Sequence, residues 1–453
     1  MADQLSISAD FDRTLVWRGG DSARYLVVEV TAPPVEVTTS EPKPALNIAL
    51  VIDASGSMSG APLVAAKDAA IGVVNRLADG DTVSIVSFDD HVVTHVDGLV
   101  IDRRRRQDAE RLISRIEPGG STNLSGGWLQ GAASVAAVME HTPGLRNHIV
   151  LLSDGQANAG ITQPEILEHH AAQLAARSLF TSTVGIGDHY SPTQLQAIAE
   201  YGGGRMYDAA VPSEIVEVVM AELSDVVATA AEEVTVAVDF PAGTRVECLS
   251  GFPSAARPGQ IVARLGSLVG SATRIAVFKV TAPRGTAGES LPFAVVAGWK
   301  RPGTTDIQLL DPTGVGLTFA RSAENAAQPR DLEVSLTVAR MWQMAIVRRV
   351  TALNLERALS EAEQYIKGEL APFRSFCKGL PGAQTLVDEL EHAARLSGRQ
   401  WDARSSRAAM QSSREASYSM VSRLSTARPS WNQNLPPDPN AGNQPPPQPG
   451  SEQ

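Results

Sequence analysis

Three short polar runs in this 453-residue chain could bring oxygen ligands to one place. The apolar run 47–52 (NIALVI) leads straight into Asp53-Ala54-Ser55-Gly56-Ser57-Met58-Ser59-Gly60. Asp53, Ser55 and Ser57 alternate along that turn, so one carboxylate and two hydroxyls can converge, while Gly56 and Gly60 allow a tight path. Further on, Gly119-Gly120-Ser121-Thr122-Asn123 offers the Thr122 hydroxyl ahead of a helix beginning near Gly127. The run 148–153 (HIVLLS) ends in Asp154-Gly155, which adds a second carboxylate. An all-oxygen donor set selects a hard cation, Mg²⁺ first, with Mn²⁺ or Ca²⁺ as alternatives. One DxSxS turn is a weak signal, because polar turns after strands are common. Three such loops in the order Asp/Ser/Ser, Thr, Asp are a strong one.

The elements around these loops say how they could meet. From about 46 to 227, apolar runs at 47–52, 82–88, 148–152 and 182–186 alternate with helical stretches. Those stretches are 62–77, 104–116, 127–139, 164–176, 192–200 and 212–227. Continuous apolar strands separated by helices predict a doubly wound α/β unit with a mostly parallel sheet buried on both faces. In such a sheet, loops after strands lie at the carboxyl edge, where these folds bind ligands.

The flanks read differently. Residues 1–45 hold short β-like runs, best seen at 25–30 (YLVVEV), and strand patterning returns at 228–328 without helices. Val234, Val236, Val238 and Phe240 alternate with Thr235, Ala237 and Asp239, as a sheet with one wet face requires. Runs at 275–280, 293–299 and 307–310 continue the pattern. The first segment has no evident partner but the later one, so both should form one β-sandwich with the α/β unit, 46–227, inserted between them. Residues 329–423 are helical: 331–353 is apolar on most sides, and 354–370 and 383–396 are amphipathic, with Leu386, Leu390 and Ala393 on one stripe. The stretch 399–428 carries six Arg against Asp402 and Glu415, a local net of +4 that reads as a solvated Arg/Ser helix. The Pro-rich end, 424–453, lacks the apolar content to pack and should be disordered.

The sequence resembles the von Willebrand factor type A family with its metal-ion-dependent adhesion site. The resemblance rests on the run 53–57, Thr122 in its Gly/Ser loop, the Ser153-Asp154-Gly155 turn and the block 181–209 (TSTVGIGDHYSPTQLQAIAEYGGGRMYDA). It implies Mg²⁺ held by Asp53, Ser55, Ser57 and Thr122, some through water, with Asp154 direct or water-mediated. It also implies a non-enzymatic role, with an Asp or Glu of a protein partner completing the coordination. In intracellular members the partners can include an AAA-type ATPase or a signalling component.

Other residues are given bland roles. Asp89-Asp90 reads first as a solvated turn, with an auxiliary role behind the metal ligands as the lesser alternative; Asp188 reads as a turn, and Arg103–Arg106 as the exposed start of a helix. His91, His95, His148, His169, His170 and His189 show no HExxH spacing and read as surface or packed side chains. Two further functions compete: a metal-dependent phosphoester or nucleotide hydrolase, and a scaffold with a vestigial metal site. Against the first, the chain has no GxxxxGK[ST] loop, the 56–60 turn offers no Lys, and GxSxG and dinucleotide fingerprints are absent.

Composition sets the outer bounds. A net charge of −11 spread along the chain excludes a general nucleic-acid binder, which needs a clustered basic face. Cys248 and Cys377 make no zinc spacing; they leave room for one disulfide but exclude a disulfide-stapled secreted scaffold. No apolar stretch approaches the roughly 20 residues of a membrane span, and residues 1–11 do not read as a secretory leader. The expectation is a soluble, cytoplasmic, multidomain protein.

Overall fold

The computed structural model describes residues 4–34, 45–155, 157–187, 190–209, 211–401, 405, 406 and 409. Most of the Arg-rich run 399–428, the Pro-rich end 424–453, and Asp188 and His189 lie outside the described residues.

The chain opens with β1 (Ser6–Phe11), β2 (Leu15–Trp17) and β3 (Ala23–Thr31). An α/β unit follows: β4 (Leu46–Asp53), α1 (Ala61–Arg76), β5 (Thr82–Phe88), β6 (Val92–Val100), α2 (Arg103–Ser114), α3 (Leu124–His141) and β7 (Arg146–Ser153). It continues through α4 (Pro164–Ala175), β8 (Leu179–Ile186), α5 (Pro192–Tyr201), β9 (Gly203–Ala209) and α6 (Pro212–Val227). The chain then returns to strands: β10 (Thr229–Asp239), β11 (Arg245–Cys248), β12 (Ser254–Arg257), β13 (Gln260–Val269), β14 (Thr273–Thr281), β15 (Ser290–Lys300), β16 (Ile307–Leu309) and β17 (Thr313–Ala320). Helices follow, of which the described residues show α7 (Ser322–Ala327), α8 (Leu332–Leu355), α9 (Leu359–Cys377) and α10 (Gln384–Leu396) in full.

The α/β sheet has the order β6-β5-β4-β7-β8-β9, parallel except for the antiparallel pair β5–β6. Every residue of β4, β5, β7 and β8 is buried, because helices cover both faces. Ile48, Leu50 and Ile52 face a core with α1 and α6, while Ala49 and Val51 face one with α3 and α5. Pleat alternation thus fills both sides from a single apolar run.

Both flanks build the sandwich. One sheet runs β1-β3-β14-β11 and the other β12-β13-β10-β15-β17-β2, with β16 beside β15. β3 pairs with β14 along its whole length, Ala23 opposite Thr281 and Thr31 opposite Thr273. The α/β unit is therefore inserted in the sandwich, and a helical region follows it. Leu26, Val28 and Val30 point into the sandwich, whereas Tyr25 and Val27, with Ile275 and Val277 of β14, point outward against α8–α10. Tyr25 stacks edge-on to Phe376, with ring centroids 4.6 Å apart. The single wet face read for this region holds for β10, where Thr235, Ala237 and Asp239 are half-buried. On β3 and β14 the helices cover the face that would otherwise be wet.

Other elements differ from expectation. β6, β13 and β17 were not read as strands, since polar residues and glycines interrupt their alternation. The helix expected from 354 begins at Leu359, because α8 runs on to Leu355 and Arg357 takes a positive φ of 61°. Cys248 and Cys377 are free thiols. No described helix is long and apolar enough to cross a membrane.

Helix α6, which leads into the sandwich, is keyed to the sheet by Glu222, 2% exposed. Its carboxylate accepts hydrogen bonds from the Ser182 and Tyr207 hydroxyls, and His148 Nε2 lies 3.1 Å away. Burial alone would raise the Glu222 pKa, but the His148 hydrogen bond and charge, then the Arg205 charge, outweigh it and hold the group at about 2. Removing one partner of a buried pair leaves the others unpaired, so Glu222→Ala should cost about 3–5 kcal/mol in urea unfolding at pH 7. A folded-state pKa below the unfolded value gives stability that is present above about 4.5 and lost as pH falls toward 2. The difference from wild type should shrink over that window.

Candidate metal centre

The chain leaves β4 toward β5 and leaves β7 toward β8, so the carboxyl ends of these adjacent strands form a strand-order switch. Asp53 is the last residue of β4, and Ser153, followed by Asp154, is the last of β7. Met58, fully buried, plugs the intervening 53–60 turn into the core. Gly60 caps α1 at φ 87°, a left-handed position that a side chain would strain.

The five residues expected at the site come together. Ser57 Oγ donates to Asp154 Oδ1 at 2.8 Å, and the Ser55 and Ser57 hydroxyls lie 3.1 Å apart. Asp53 Oδ1 accepts the Ser55 N–H at 2.9 Å, and Asp53 Oδ2 accepts from the Ser153 hydroxyl at 2.5 Å. Thr122 reaches the same cup from the loop before α3. Its Oγ1 sits so close to Gly155 that a Cβ there would meet it at 3.0 Å. Asp53, Ser55, Thr122 and Asp154 are buried and Ser57 is exposed, so the cup opens to solvent on the Ser57 side.

Two supporting residues were not legible as such. Ser153, by sequence only a turn residue, hydrogen-bonds Asp53 directly. Asn158 pins the Thr122 loop: its Oδ1 accepts the Thr122 N–H at 3.0 Å, and Thr122 O accepts the Asn158 N–H at 3.2 Å. A lone Asn in a polar loop carries no spacing signal. His148, read as packed, is in the Glu222 network, and Arg103–Arg106 do begin α2. A separate cleft of about 560 Å³ between α4–α5 and α8–α9 takes none of the three loops into its wall.

Residues 47–220 match the model of the von Willebrand factor type A domain. The inserted unit is a von Willebrand factor type A domain. The chain is 32% identical over 172 residues to the Synechocystis sp. protein sll0103, covering 37% of this chain and 39% of that one. It is 28% identical over 165 residues to human inter-alpha-trypsin inhibitor heavy chain H3, covering 35% of this chain and 18% of the relative. Among solved structures, a von Willebrand factor type A protein from Catenulispora acidiphila superposes with a TM-score of 0.65 at 18% identity, covering 86% of this chain and 90% of that one. That likeness extends the shared fold beyond the inserted domain, to the sandwich and helices.

Within the von Willebrand factor type A domain, Asp53 is the electrostatic peculiarity. Burial pushes its carboxyl up to about 6; the Ser153 and Ser55 hydrogen bonds oppose that rise, and the Asp154 charge adds to it. The groups acting on it are hydroxyls, an N–H and another carboxylate, and none is a cation. A raised folded-state pKa means that stability falls as pH climbs from about 4 through 6 and stays lower above. Asp53→Asn removes the buried charge, so in EDTA at pH 7.5 the variant should melt a few degrees above wild type. At pH 5 the gain should shrink, because wild type is then largely protonated. Thermal unfolding at the two pH values checks both expectations.

Proposed function

We propose that this chain is a non-enzymatic protein that binds its partner through a metal ion. In this reading Asp53, Ser55, Ser57 and Thr122 hold Mg²⁺, with Asp154 direct or through water, and an Asp or Glu of the partner completes the coordination. The observation that carries it is Asp53: a fully buried carboxylate with no cationic partner among the described residues, beside Ser55, Ser57 and Asp154 oxygens spaced 2.8–3.1 Å apart. Neighbouring ligands of an octahedral Mg²⁺, at about 2.1 Å each, stand about 3 Å apart, and the Ser55, Ser57 and Asp154 oxygens have that spacing. A buried carboxylate that is hydrogen-bonded but not charge-paired is costly, and a divalent cation would offset that cost.

When bound, the ion would supply positive charge and an open coordination position facing solvent. Ser55, Ser57 and Thr122 bring no charge, so the domain offers at most two negative charges and leaves the centre electrophilic. The loops 53–60, 117–123 and 153–161 contain no Lys or Arg, so an incoming carboxylate finds no organic cation there. The same lack weakens the hydrolase alternative, which needs donors aimed at developing phosphoryl charge.

In a pull-down from a lysate of the source cells, a partner should be retained in Mg²⁺, eluted by EDTA and lost with Thr122→Ala. Retention that ignores EDTA would contradict the metal bridge. Phosphoester turnover that disappears in Asp154→Ala would favour the hydrolase.

A further inference from the structure

The β5–β6 turn, Asp89 to His91, stands beside the candidate site, and its Asp89-Asp90 pair offers by sequence either a solvated turn or an auxiliary role. We propose that Asp89 is the positioning residue for Thr122, setting metal affinity through the loop that carries that hydroxyl; this rests on the metal-site reading above. Asp89 Oδ2 accepts the Gly120 N–H at 3.2 Å, and the Asp89 main-chain oxygen accepts the Asn123 N–H at 2.8 Å. The residue thus grips the loop on both sides of Thr122, by its side chain at 120 and its backbone at 123.

The gripped segment is also the one that touches the Asp53–Ser57 turn. Gly119 N donates to Ala54 O at 2.6 Å, and Gly120 O accepts from Gly56 N at 3.0 Å. Asp89, the Thr122 loop and the Asp/Ser/Ser turn therefore form one hydrogen-bonded series. The Gly119-Gly120 backbone lies flush on the turn. A Cβ at Gly119 would fall 1.6 Å from Asp89 Oδ2, and one at Gly120 would fall 2.2 Å from Asp90 Oδ1. The glycine pair is there to let carboxylate and backbone approach.

Asp89 is in turn fixed in place. Its Oδ1 accepts the His91 N–H at 2.6 Å, and its own N–H donates to His91 O at 2.9 Å. A charged acceptor shared between two backbone donors is a stronger tether than a neutral one. The Asp89 side chain is 22% exposed, against 82% for His91, so the tether works at the edge of the cup rather than in open water. Asp89, Asp90 and His91 do place ligand atoms within 4.8 Å of one another, but Asp90 and His91 are exposed and both Asp89 oxygens already accept N–H groups. The geometry favours a tether over a second ion.

The test is Mn²⁺ binding to the full chain, read from the free-ion EPR signal as affinity and stoichiometry, with thermal unfolding in EDTA run alongside. Wild type should bind one ion. Asp89→Ala should weaken binding on the order of tenfold or more, as loss of a ligand-orienting group does. Asp89→Asn, which keeps the shape and one acceptor, should fall between. Because Asp89 acts through Thr122, the double variant Asp89→Ala/Thr122→Ala should bind no worse than Thr122→Ala alone. A merely structural role would lower the metal-free melting temperature and leave that non-additivity absent. Unchanged affinity in Asp89→Ala, or losses that add in the double variant, would overturn the proposal and leave the metal site standing. Two ions in wild type with one lost in Asp89→Ala would also overturn it. Absence of Mn²⁺ binding in wild type would remove the metal-site reading and this proposal together.

Discussion

The constraint around which this structure turns is the carboxylate of Asp53, buried at the carboxyl end of the central strand β4. Sheet geometry puts it there: β4 lies between β5 and β7, and all its residues, Asp53 included, are buried. Burial alone lifts the group toward neutrality, and the hydroxyls and N–H around it pull the other way. The groups that act on it most are hydroxyls, an N–H and a second carboxylate. Ser55, Ser57, Thr122 and Asp154 are the side chains arranged around Asp53.

The remaining architecture serves to hold the three loops rigid and the domain oriented. Asn158 ties the Thr122 loop to the segment after β7, and Asp89 ties it to the β5–β6 turn. At the opposite edge, Arg146 Nη1 donates to the carbonyls of Val226 and Val227 at 3.1 and 2.9 Å, fastening the exit of α6 beside the start of β7. Ser267 of β13 donates to Gly203 O of β9 at 3.2 Å, which joins the sandwich to the edge of the inserted sheet. The von Willebrand factor type A domain is thus joined to the sandwich at its exit and at the β9 edge of its sheet.

The five candidate ligands were legible because each follows an apolar run or opens a helix, and chemistry at strand ends survives in a single sequence. The sandwich insertion followed by exclusion, since residues 25–30 needed a partner. The register of β3 on β14 did not, because both strands are apolar on both faces and slipping one past the other changes no visible pattern. β6 was hidden by His95, Asp97 and Gly98, residues an edge strand tolerates because one side faces water. Ser153, Asn158 and Asp89 were hidden for another reason. Asn158 and Asp89 bond backbone N–H groups distant in sequence, and Ser153 bonds a carboxylate on another strand, so none of these contacts leaves a periodicity.

The measurement that bears most directly on the account is anomalous diffraction from crystals of the full chain grown with Mn²⁺ and a glutamate-containing peptide. The account predicts one peak about 2 Å from the Ser55 and Ser57 hydroxyl oxygens, with a peptide carboxylate oxygen on its solvent side. A cup without a peak, or a peak at Asp89–His91 alone, would contradict it.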